Sequence, residues 1–173
     1  MSAALRFVAP LSLLLVAAAP AVQTLPPPVV VAEETKYFPE DANGPAVLES
    51  ALADAAGKGK LAVIVFGADW CHDSQGLARV LRSDAFKAEF GARFQVTLID
   101  VGTPQVGEGR NLDLVARFGV KKLKSTPALF VISPMGERIN SKGDAVSWRN
   151  ADSRSEAEVL AWFRKLAART GGS

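Results

Sequence analysis

The run LAVIVFG, residues 61–67, constrains this chain more than any other stretch. It is apolar throughout, carries three β-branched residues in a row (Val63, Ile64, Val65), and has the length of a strand rather than a helix. It therefore reads as a strand buried on both faces. Such a strand needs apolar cover above and below, and the flanking sequence offers it. Upstream, PAVLESALADAAGKG (45–59) repeats apolar residues at Val47, Leu48, Ala51, Leu52 and Ala55, a helical stripe closed by Gly57 and Gly59. Downstream, helical spacing runs through Leu77, Val80 and Leu81 and resumes in AFKAEF (85–90). FQVTLIDV (94–101) reads as a second buried strand and NLDLVARFGV (111–120) as a short helix. PALFVIS and ERINSKG flank the turn Pro134-Met135-Gly136-Glu137, which predicts an antiparallel hairpin. SRSEAEVLAWFRKLAART (153–170) is amphipathic, with Ser153 or Ser155 as N-cap and Val159, Leu160, Trp162, Phe163 and Leu166 facing inward. This order predicts an α/β layer with a mixed central sheet flanked by helices.

The first 44 residues are of another kind. MSAALRFVAPLSLLLVAAAPA places Arg6 before an apolar stretch from about Phe7 to Ala19 and ends in Ala19-Pro20-Ala21. That is the order of a secretory signal with cleavage after Ala21. The stretch is shorter than the roughly 20 residues that span a bilayer. The expectation is a signal peptide over 1–21, a periplasmic or secreted mature chain, and no stable membrane association after cleavage. Residues 22–44, with Pro26-Pro27-Pro28, read as an extended segment without chemistry of its own, preceding a folded domain over 45–173. The 173 residues are 49% hydrophobic and 22% charged, enough to bury one core. Twenty basic and 18 acidic residues alternate along the chain rather than forming blocks, so nothing in the pattern announces a nucleic-acid face.

The chemistry concentrates in DWCHDSQG (69–76), directly after the apolar run. It holds Cys71, the only cysteine, and His72, the only histidine. No second cysteine or histidine exists to complete a zinc site, so neither a metal nor another cofactor is expected. A thiol in the first turn of a helix faces free backbone N–H groups and the positive end of the dipole, which favour the thiolate. Ser74, three residues on, is expected to share its face and to donate its hydroxyl to the sulfur. Asp69 and Asp73 oppose the trend with negative charge, and both also suit the start of a helix. His72 can tune the site or stand in solvent. Gly107-Glu108-Gly109 lacks the surroundings of a phosphate loop.

VIVFGADWCHDS, ending a strand and opening a helix, together with TPALFV further on, resembles the thioredoxin family over about Pro45 to the C-terminus. The resemblance implies a thioredoxin-like fold. Trp70 and Cys71 match the start of the family's W-C-x-x-C motif, and Pro127 matches its cis-proline, which would turn the backbone of Thr126 toward a substrate groove. Cys71 and Pro127 are 56 residues apart, more than in the smallest members, and TPQVGEGR (103–110) is the expected place of the extra length. Two positions depart from the pattern. Ser74 stands where the second cysteine would be, and Val65 where many members carry a buried acid. Both changes remove parts of one half-reaction, release of a mixed disulfide by an internal thiol.

The resulting expectation is a monothiol thioredoxin-like protein. Cys71 and Ser74 form its reactive pair, and Trp70, His72, Thr126 and Pro127 contact the substrate. Its partners are protein or low-molecular-weight thiols, one of which resolves the disulfide, and oxidation can link two copies through Cys71. The alternative is a redox-inactive module that binds a peptide in the same groove. Monothiol glutaredoxins, which share C-x-x-S, fit less well because no glycine-rich glutathione-binding signature lies near the last helix.

Overall fold

The computed structural model describes residues 35–170. The expected signal peptide, and residues 22–34 of the proline-rich segment, lie outside this range. The elements follow in the order α1 (Gly44–Gly57), β1 (Leu61–Gly67), α2 (His72–Arg82), α3 (Asp84–Phe90), β2 (Phe94–Asp100), the two-residue strands β3 (Gly102–Thr103) and β4 (Glu108–Gly109), α4 (Leu112–Arg117), β5 (Ala128–Ile132), α5 (Lys142–Ala145) and α6 (Glu156–Thr170). Among the described residues no helix is long and apolar enough to cross a membrane.

The main sheet has the order β2-β1-β5. β1 pairs parallel with β2, Val65 opposite Leu98 and Gly67 opposite Asp100, and antiparallel with β5, Val65 opposite Leu129. All seven residues of β1 are buried, because both edges are paired and both faces are covered. Leu61, Val63 and Val65 pack with Leu77 and Leu81 of α2, Phe86 of α3, and Phe163 and Leu166 of α6. Ala62, Ile64 and Phe66 pack on the other side with Leu48 and Ala55 of α1 and Leu114 and Val115 of α4. The helix ends follow local chemistry. Asn43 caps α1 by accepting from Ala46 N at 3.1 Å. Ser155 accepts from Glu158 N and so caps α6. Trp162 is partly buried, whereas Val159, Leu160, Phe163 and Leu166 are fully in the core.

Two sequence expectations change. The hairpin does not form a second strand. After the turn the chain makes one bridge, Arg138 with Ile132, and Ile139 N donates to Val131 O at 2.7 Å. Asn140 then replaces the missing strand with its side chain: Oδ1 accepts from Val131 N at 2.9 Å and Nδ2 donates to Leu129 O at 2.8 Å. With β5 thus satisfied, the backbone is free to leave the sheet, and Ser141 caps α5 through a reciprocal bond with Asp144. The folded unit also begins earlier than helix α1. Phe38, in the segment that carried no assigned role, is fully buried against β1 and α2 residues. The extra length between Cys71 and Pro127 sits where expected, as β3, a 3-10 turn over Pro104–Val106, and β4.

Candidate thiol site

The site forms where β1 ends and the chain must turn into α2. Cys71 N donates to Ala68 O at 3.1 Å, which closes the turn, and Cys71 itself is the N-cap residue of α2, with extended backbone angles (φ −95°, ψ 116°). Asp69 fixes the turn from outside: its carboxylate accepts from Tyr37 N at 2.9 Å and Phe38 N at 3.1 Å. From the helix side, Gln75 Nε2 donates to Asp69 O. Trp70 is 49% exposed, yet its orientation is set, because Nε1 donates to Gly102 O at 2.9 Å. The inserted segment after β2 thus holds the aromatic next to the cysteine.

Cys71 is half-buried and free. Its Sγ donates to the carbonyl oxygen of Thr126 at 3.6 Å, so it faces the loop before β5 rather than the N–H groups of its own helix. Thr126 and Pro127 are buried and joined by a cis peptide bond. The structure therefore brings together Trp70, Cys71, Thr126 and Pro127 from two distant parts of the chain. His72 is exposed at the first position of α2. Asp73 lies in the first turn, where its Oδ1 accepts from Asp152 N at 3.0 Å, a structural bond to the 3-10 turn over Ala151–Ser153.

Ser74 is fully buried, and its hydroxyl has no hydrogen-bond partner among the described residues. The expected bond from Ser74 to the sulfur is not made. An N-cap side chain can meet the residue three on, as Ser141 meets Asp144, but here the Cys71 sulfur turns to the Thr126 carbonyl. Ser74 points instead at the end of β1. A Cβ on Gly67 would lie 2.7 Å from Ser74 Oγ and 2.8 Å from Phe38 Cζ, so only glycine allows α2 and Phe38 to close over the strand. Val65 is likewise fully buried in the core beneath α2.

One ionisable neighbour escaped the sequence reading. Asp100, at the end of β2 opposite Gly67, is 4% exposed. Burial pushes its carboxyl above the usual range, an effect reinforced by the charges of Glu40 and Asp69 and opposed by the Gly102 N–H (2.8 Å) and by Arg110 (Nε at 3.3 Å). Arg110 also donates to Glu40 O at 2.8 Å, tying the start of the folded unit to the inserted segment. An acid closing a buried strand beside the motif was the available signal.

No family model matches the chain, and no curated relative matches it. Among solved structures it is similar to the crystal structure of a disulphide isomerase from Xylella fastidiosa Temecula1, with 28% identity over 77% of this chain and 98% of that one and a TM-score of 0.68. It is also similar to the solution structure of a thioredoxin from Thermus thermophilus, with 22% identity over 80% of this chain and 92% of that one and a TM-score of 0.51. The fold is thioredoxin-like, a mixed sheet flanked by helices.

Proposed function

We propose that this chain is an exported thiol-disulfide exchange protein of monothiol type. The observation that carries the reading is the meeting of a half-buried Cys71 Sγ with the Thr126 carbonyl beside Pro127, while a fully buried serine occupies the place of a second thiol. Similarity to a disulphide isomerase supports the reaction class.

The Cys71 thiol loses its proton to solvent, and the thiolate attacks one sulfur of a substrate disulfide. A Cys71–substrate disulfide forms, the substrate S–S bond breaks, and the second substrate sulfur leaves as thiolate. Loss of the S–H proton also frees the Thr126 carbonyl, which can then accept a backbone N–H from an extended substrate. Trp70 walls this groove and His72 borders it. Ser74 cannot attack the mixed disulfide, so an external thiol must release it.

In the test, the purified protein meets a peptide disulfide with and without glutathione, and adducts are read by mass. The wild-type chain is expected to accumulate a Cys71–peptide adduct that glutathione releases, and Cys71→Ser to form none. Ser74→Cys is expected to release the peptide unaided while gaining an intramolecular disulfide, which needs Cα atoms within about 4.4–6.8 Å. Absence of any wild-type adduct would overturn the reading. Export is checked separately by the N-terminal sequence of the native protein, expected to begin near Val22.

A further inference from the structure

The cations that the sequence scatters are gathered by the fold at one place. Lys121, Lys122 and Lys124, from the loop before Thr126, meet Lys142 of α5 and Arg149 around a cavity of 440 Å³. Gly119, Val120 and Val146 supply its apolar wall, and Ser125, next to Thr126, also lines it. Among the described residues none of the five cations has an ion-pair partner. The acid nearest in sequence, Asp144, is turned back on Ser141, whose N and Oγ donate to its Oδ2. A second hollow of 450 Å³, shared through Val146 and Arg149, extends the basic strip to Arg154. Arg154 is held there by Ser147 O at 2.8 Å and by the Trp148 ring at 4.5 Å.

We infer that this basic cavity selects the substrate of Cys71: a polypeptide carrying Asp or Glu residues close to its cysteine. The inference rests on the thiol-exchange reading above and names the substrate class for that site. Ser125, which lines the cavity, is bonded directly to Thr126, whose carbonyl touches Cys71 Sγ, so the charge and the thiol meet at consecutive residues of one loop. A concave, partly apolar cavity of this size suits short carboxylate side chains with their methylenes. A duplex or a lipid surface would call for an extended, open face.

The test uses the full chain and short peptides whose cysteine is capped as a mixed disulfide with an aromatic thiol. The cysteine is flanked on both sides by glutamates, glutamines or lysines. Attack by Cys71 forms the protein–peptide disulfide and expels the aromatic thiolate, whose absorbance gives the rate. The glutamate peptide is expected to react about tenfold or more faster than the lysine peptide at low salt. That advantage should shrink severalfold at about 0.5 M salt, where charges are screened within a few ångströms. The variant Lys121→Gln/Lys122→Gln/Lys124→Gln, altered only in loop residues, should bring the ratio to within about twofold.

Equal rates for all three peptides overturn the inference and leave the thiol reading intact. If no peptide reacts, the thiol reading fails instead, and binding of a cysteine-free glutamate peptide decides the inference. Saturable binding that the triple variant loses supports it, and no binding overturns it. A single-stranded oligonucleotide of equal charge that binds more tightly than the glutamate peptide also overturns it, in favour of a nucleic-acid surface.

Discussion

Along β5 and across the mouth of β1 the same sheet treats its polar groups in opposite ways. At the open edge of β5, where the hairpin stops short, Asn140 meets both Val131 N and Leu129 O at ordinary distances, and is itself only 2% exposed. At the mouth of β1, the hydroxyls of Ser74 and Thr126 are buried without a partner among the described residues, and the Asp100 carboxyl is held against its own burial. Structural stretches of a fold remove such costs. They persist on both sides of Cys71, and among the described residues a third unpartnered group remains at the Trp148 indole N–H in the core beneath α6.

The contrast can be broken most sharply at Asn140. Replacing it with alanine strands two buried backbone groups, and a loss of about 2–4 kcal/mol is expected in denaturant unfolding. A variant as stable as the wild type would mean that the β5 edge is not held by this side chain.

Asp100 comes next. Its folded carboxyl binds a proton more tightly than the unfolded one, whose ordinary value is 3.8. The stability it contributes is therefore complete below that pH and declines as pH rises through the raised folded value. Asp100→Asn should abolish this decline, so that the stability advantage of the wild type over the variant is larger at acidic than at neutral pH. A difference independent of pH would contradict the assignment.

The smallest effects belong to the unpartnered hydroxyls. Ser74→Ala and Thr126→Val remove a group that gains nothing from its surroundings, and each should leave stability within about 1 kcal/mol of the wild type, on the favourable side. A loss as large as that at Asn140 would show that these hydroxyls are bonded after all, and the contrast would disappear.

Much of the architecture is written in local periodicity. β1 is an uninterrupted apolar run, β2 mixes apolar residues with Gln95 and Thr97 and is only partly buried over residues 95–97, and α1 and α6 carry apolar stripes at helical spacing. The failed hairpin has a physical cause: ERIN has the composition of a return strand, and alternation does not reveal that the amide of Asn140 will do the pairing in place of backbone. Cys71 and Pro127 were legible because a motif carries them. The direction of Ser74 was not, since it depends on packing against Gly67 and Phe38, which come from other parts of the chain. The basic cavity was invisible for a simpler reason. Its cations come from positions 121 to 149, and only the path of the chain around β5 brings them together.

The grip of Asp69 on Tyr37 and Phe38 bears on what can be transplanted. A chain shortened to start at Asn43 would keep every helix and strand, yet would lose the aromatic plug beneath the reactive loop and leave the Asp69 carboxylate with no amide to hold. Removal of a buried phenylalanine alone costs about 3–5 kcal/mol. The smallest portable piece of this protein thus includes a few residues of irregular chain that no inventory of its helices and strands would retain, and a graft or fusion that respects only the regular elements would carry the motif without its footing.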